Sequence, residues 1–234
     1  MEKYLEILKR DSLKNISIIN FIENNQINGV EKVENSFIVR GKSDRDWVYI
    51  ACPNQEELTL VKDRLTEKDT CFGAIEEWMI PTITKNHEIL WNLALKQFYL
   101  PDEICFPAPK HQIKNLSQRD AETIYVNSDY KEFLSIEYIE HQIKKGPGKG
   151  IFKQDKLVAW GLTQDDGAMG FLHVLDEERK KGYGYSITIS LIKEIRKTGK
   201  IPFVYIEHTN KKSLNLISKL GFIRQKDCQW FEIK

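Results

Sequence analysis

The stretch Phe171-Leu-His-Val-Leu-Asp-Glu-Glu-Arg-Lys-Lys-Gly-Tyr-Gly-Tyr185 decides how this chain is read. A short apolar run closes at Leu175, and Gly182 and Gly184 then stand in front of a helical pattern from about Ser186 to Thr198. Two glycines between a strand and a helix N-terminus let the backbone approach an anion closely. They also leave N–H groups unpaired at the positive end of the helix dipole. Arg179, Lys180 and Lys181 add formal positive charge, so the loop suits a polyphosphate. On these residues alone a plainer reading stands equal: a tight turn with a solvated basic edge.

Other phosphate-binding patterns do not fit. The dinucleotide fingerprint would need its third glycine at Ile187. Gly146-Pro-Gly-Lys-Gly150 lacks both the glycine spacing and the hydroxyl residue of a nucleotide-triphosphate loop, and reads as a turn.

Working outward, Gly150–Phe152, Leu157–Leu162 and Ala168–Leu175 are apolar runs divided by turn residues, which predicts an antiparallel meander. A strand over 203–206, a helix over 211–220 and a closing strand follow. Upstream, Ser117 and Asp120 announce a helix, and 133–144 reads as another. The run 99–110 holds Pro101, Pro107 and Pro109 and suits a linker. This gives an N-terminal α/β domain over 1–105, without the loop, and a second domain over 111–234. In the first, the pattern predicts one or two helices over 4–21 and a hairpin of 36–40 with 47–53. A helix from Asn54 to Leu65, a strand over 77–80 and a helix over 89–98 complete it. No internal repeat is visible.

The chain has 234 residues, room for two modest cores, and a net charge of +1, which creates no field to draw it onto nucleic acid or an anionic membrane. No apolar run approaches a membrane span, and Met1–Arg10 mixes charged with apolar residues, unlike a secretory signal, so a cytoplasmic location is expected. The four cysteines include no close pair, and His87, His111 and His141 have no partners at ligand spacing. No metal is expected.

Arg179-Lys-Lys-Gly182-Tyr-Gly184, preceded by Phe171–Leu175 and followed by Asn210–Phe222 ending in Gly-Phe, resembles the pyrophosphate loop and flanking motifs of the GCN5-related N-acetyltransferase (GNAT) superfamily. The two-part layout, with Val158-Ala-Trp-Gly-Leu162 before Gly167-Ala-Met169, is similar to its glycine N-acyltransferase-like branch. The resemblance implies a mixed α/β GNAT fold in the C-terminal half. The N-terminal half would then help form the acceptor pocket or mimic the same fold without its loop.

The resemblance further implies acetyl-CoA or another acyl-CoA as co-substrate and a small amine or amino acid as acceptor, attacked directly with no covalent enzyme intermediate. The diphosphate would lie on Arg179, Lys180, Lys181, Gly182, Tyr183, Gly184 and Tyr185. The pantetheine arm would pair with a fourth strand near Leu172 and Val174, splayed from the fifth, and Asn210 would contact the cofactor or cap its helix. Relatives often carry a catalytic Glu or His where Ala168 and Gly170 stand here, and a tyrosine acid on the last helix, where 211–220 has none. Glu207 is the replacement base, ahead of Asp166 through water and of His208. Two rival readings follow: a coenzyme A sensor or scaffold with little turnover, and a protein or peptide N-acetyltransferase.

Overall fold

The computed structural model describes residues 1–234. The chain runs α1 (Glu2–Leu8), α2 (Ile16–Asn24), β1 (Gln26–Val33), β2 (Ser36–Lys42), β3 (Asp46–Ala51), α3 (Gln55–Lys62), β4 (Cys71–Glu76), α4 (Ile80–Ile83) and β5 (Ile89–Tyr99). It continues through β6 (Lys114–Asn115), α5 (Ala121–Val126), α6 (Ile136–Lys145), β7 (Gly148–Lys153), β8 (Lys156–Thr163), β9 (Met169–Val174), α7 (Tyr183–Lys197), β10 (Phe203–Glu207), α8 (Lys211–Lys219) and β11 (Ile223–Ile233). Two helices, three strands, a helix, a strand, a helix and a strand occur in that order in each half. The repeat absent from the residues is therefore present in the element order.

Two compact units result: residues 1–98 with 206–214 and 224–234, and residues 99–205 with 215–223. In the first, β1, β2 and β3 form an antiparallel meander, and β4 runs parallel to β3. The C-terminal strand β11 is antiparallel to β4, with Phe231 opposite Phe72, their rings stacked 5.0 Å apart. Ile38, Val48, Leu58, Val61, Phe72, Ile75, Phe231 and Ile233 make this core. Asn54 accepts from Glu57 N–H at 2.9 Å, as a cap should. The Glu57 carboxylate does not reach back to complete the box; it accepts from Asn35 and from the Ser36 hydroxyl, tying α3 to the β1–β2 turn.

Three expectations are corrected. The strand expected over 77–80 lies earlier, at Cys71–Glu76; Glu77–Met79 is a single helical turn and Pro81 sits in the first turn of α4, where its missing N–H costs nothing. The helix expected over 89–98 is the eleven-residue strand β5. Its apolar residues satisfied both periods, but Trp91, Leu93, Leu95 and Gln97 alternate with more exposed neighbours, and Trp91 Nε1 and Asn92 Nδ2 donate to Glu232 and Gln229 of β11. Strand β1 was not anticipated at all, since Asn28 and Gly29 dilute its pattern.

In the second unit β6, β7, β8 and β9 pair antiparallel in sequence order, and β10 is parallel to β9 with Val204 opposite Met169. Helices α5 and α6 cover Leu116, Leu157, Trp160 and Leu162. The proline-rich stretch 99–110 has no regular structure but is tied down: Arg196 donates from Nη1 to Ile104 O at 2.5 Å and from Nη2 to Pro101 O at 2.6 Å, and Leu100 N–H donates to Pro202 O. No helix is long and apolar enough to cross a membrane.

Candidate acyl carrier site

The loop between β9 and α7 is built around two left-handed residues, Lys180 (φ 65°) and Gly182 (φ 82°). Gly182 is the N-cap of α7, with its carbonyl accepting from Ser186 N–H at 3.1 Å. A β-carbon there would disfavour the conformation. Tyr183, Gly184 and Tyr185 form the first turn, whose N–H groups have no partner within the helix. A β-carbon on Gly184 would meet nothing closer than Val174 Cγ2 at 3.8 Å and Leu216 Cδ2 at 3.9 Å. The protein's own packing therefore does not demand glycine there, and a ligand approaching the helix end would.

The basic side chains are held by acids of the same loop. Arg179 pairs with Asp176 at 2.5 Å and donates from Nε to Val174 O at 3.3 Å. Glu178 receives both Lys153, at 2.7 Å, and Lys181, at 2.8 Å, and these two bonds hold its carboxyl below the usual carboxylate range. The charge near the turn is thus partly neutralised, and the backbone dipole is the feature left for an anion.

A residue the sequence did not single out shapes this turn. The ring of His111 lies edge-on to Tyr183 at 4.7 Å, its Nδ1 bonds to Ser186 Oγ at 2.8 Å, and its Cε1 is 3.5 Å from where a Gly182 β-carbon would sit. The ammonium of Lys153 lies 5.6 Å above the Tyr183 ring. Nothing local predicts either contact, because both come from chain thirty or more residues upstream.

Strand β9 carries a bulge. Trp160 of β8 lies opposite His173 and Leu162 opposite Gly170, so Phe171 and Leu172 together face the single residue Gly161. Phe171 adopts a positive φ of 53°, a strained conformation of the kind found where a strand re-aims its groups beside a functional site. Leu172 is exposed and Val174 half-buried. His173 stacks on Trp160 at 4.8 Å, and burial, then Arg179, push its pKa down, as for a packed strand residue.

Glu207 is half-buried at the end of β10, and Asn210 Oδ1 accepts from Ser213 N–H at 3.0 Å, so the amide caps α8. Both lie in the segment that packs with the first unit, whereas Leu172, Val174 and 179–185 belong to the second. No three His, Cys, Asp or Glu residues are grouped so as to hold a metal ion.

Asp166, in the β8–β9 turn, is fully buried. Its Oδ1 accepts from Ala168 N–H at 3.0 Å and its Oδ2 from the Tyr205 hydroxyl at 2.8 Å. Burial, and then the neighbouring Asp165, push its pKa up to about 7.

Residues 148–231 match the family model of FR47-like proteins. No curated protein matches the chain. Among solved structures, a Drosophila protein is 16% identical with a TM-score of 0.82, over 100% of this chain and 97% of that one. A GCN5-related N-acetyltransferase-like protein from Streptococcus suis is 14% identical with a TM-score of 0.52, over 98% and 99% of the two chains. A GCN5-related N-acetyltransferase from Kribbella flavida is 12% identical with a TM-score of 0.56, over 94% of each. The fold is that of GCN5-related N-acetyltransferases, and these likenesses cover both halves of the chain.

Proposed function

We propose that this chain, which has the fold of a GCN5-related N-acetyltransferase, moves an acyl group from acetyl-CoA or a longer acyl-CoA to the amine of a small molecule or amino acid. The observation that carries the reading is the left-handed Gly182 cap: it starts α7 with its N–H groups presented and leaves space at Gly184 that packing does not explain. In this reading the coenzyme A diphosphate rests on the N–H groups of 182–185, with Arg179, Lys180 and Lys181 supplying charge at the rim. The pantetheine arm runs along β9 past Val174 and Leu172 as an added strand. The bulge at Phe171 and Leu172 turns backbone N–H groups toward the thioester carbonyl, where a donor stabilises the oxyanion formed as the amine attacks. Asn210 contacts the cofactor while capping α8. The two-part layout supports the glycine N-acyltransferase-like branch, and with it a small acceptor.

Glu207 is the base that takes the proton of the attacking ammonium. Glu207→Gln should lower turnover by about 10²-fold or more, leave coenzyme A affinity in place and remove the acidic limb of the pH–rate profile. A wild-type profile would return Glu207 to a solvated strand end.

The direct test is calorimetry. Acetyl-CoA should give binding heat with the wild type and none with Gly182→Val, whose circular dichroism should be unchanged, because the β-branched side chain opposes the left-handed turn and blocks backbone approach without removing core volume. Equal heat in both would refute the placement. Thiol release against a panel of amines then separates an enzyme from a sensor that binds coenzyme A without turnover.

A further inference from the structure

The proposed reaction needs an acid for the departing thiolate, and α8, Lys211–Lys219, carries no tyrosine to supply one. A tyrosine does stand on β10. Tyr205 follows Val204, the residue paired with Met169 at the start of β9, and its hydroxyl bonds to the buried Asp166 at 2.8 Å. Asp166 in turn accepts from Ala168 N–H, the residue before β9 begins. One carboxylate thus joins the first residues of β9 to β10, the two strands between which the proposed acyl-CoA lies.

A fully buried carboxylate is costly to ionise, and Asp166 has no ion pair to offset that cost: its oxygens meet a peptide N–H and a phenol. Asp165 sits beside it and makes ionisation harder still. On α6, Tyr138 reaches Asp165 Oδ1 at 3.4 Å, and Lys145, its own pKa lowered by burial, faces Asp165. Packing alone would be served better by an asparagine, so the ionisable group points to proton handling.

Resting on the acyltransferase reading, we infer that Tyr205 is the catalytic acid for the thiolate and that Asp166 is the positioning residue behind it that resupplies the proton. As the carbon–sulfur bond breaks, its electron pair leaves on sulfur. With Asp166 neutral, the 2.8 Å contact is made by Oδ2–H donating to Tyr205 Oη; the Oη proton passes to the sulfur and Oη takes the Oδ2 proton in its place, leaving Asp166 ionised. The proton surrendered by the amine to the base restores the balance through solvent. Asp166 is suited to this because it changes protonation near neutral pH.

The test does not require knowing the acceptor. Free coenzyme A is titrated with pH on the wild type, Tyr205→Phe and Asp166→Asn, following ultraviolet thiolate absorbance, with affinity and melting temperature measured alongside. A hydroxyl donating to sulfur favours the thiolate, so Tyr205→Phe should raise the bound thiol's pKa by roughly one unit with affinity unchanged. Any amine that supports thiol release should then show kcat lowered about 10²-fold or more in both variants with KM for acetyl-CoA unchanged. In Asp166→Asn the alkaline limb of kcat should disappear. If wild type and Tyr205→Phe titrate alike with equal affinity, the inference is overturned while coenzyme A binding stands. If affinity and melting temperature fall together with kcat, the pair is structural only. If the wild type gives no heat with coenzyme A, the acyltransferase reading itself fails.

Discussion

Replacing Phe231 by alanine should destabilise the first unit by about 3–5 kcal/mol, the cost of deleting a fully buried aromatic ring that its surroundings cannot refill. Phe231 lies three residues before Lys234, has no exposed surface and stacks on Phe72 of β4 with an interplanar angle of 17°. The loss should therefore appear far away in sequence. Hydrogen exchange should accelerate in β3 and β4, while β7 and β8 keep their protection. Acceleration confined to β7 and β8 would show that β11 supports the second unit instead, contrary to its pairing of Phe231 with Phe72 and Glu232 with Cys71.

The second large effect is a dependence of stability on pH. The Asp166 carboxyl is pushed up to about 7 in the fold, against 3.8 for an aspartate in water, because burial and the neighbouring Asp165 disfavour its charge. A carboxyl raised on folding binds more protons in the native state. Its stabilising contribution is complete below pH 4 and is lost as pH rises to about 7, by roughly 4 kcal/mol at 1.36 kcal/mol per unit. Asp166→Asn keeps an oxygen for Ala168 N–H and places an amide donor against Tyr205 Oη. The variant should melt higher than the wild type at pH 8 and close to it at pH 4. Chemical denaturation at the two values measures the difference; identical pH dependence in the two proteins would mean that Asp166 does not titrate in this range. The groups facing the site, Asp165, Tyr205, Tyr138 and Lys145, are kept in the variant; because the Asp165 charge acts directly on Asp166, the comparison reports the titration of the two carboxyls together.

The turn between β9 and α7 was the most legible part of the chain because its determinants are local. Gly182 in a left-handed cap, a helix beginning one residue later and a strand ending at Val174 all lie within about a dozen residues, and each leaves a mark in the sequence. The caps at Asn54 and Ser117 were legible for the same reason, whereas the helix expected from 133 begins at Ile136, behind a Ser135 cap that was not singled out. The bulge at Phe171 was not, since a positive φ in a phenylalanine is imposed by the neighbouring strand rather than chosen by the residue. His111 against Tyr183 escaped notice because the contact joins segments more than seventy residues apart.

Local chemistry by itself thus determined the meander of β7–β9 and the glycine turn that starts α7, because strand alternation, glycine conformation and helix caps act over a few residues. Only tertiary structure decided that 89–99 is a strand, that β11 completes the first core and that Asp166 bonds to Tyr205. Each of these depends on partners distant in sequence, and a short apolar run or a lone carboxylate carries no signal of what it will be packed against.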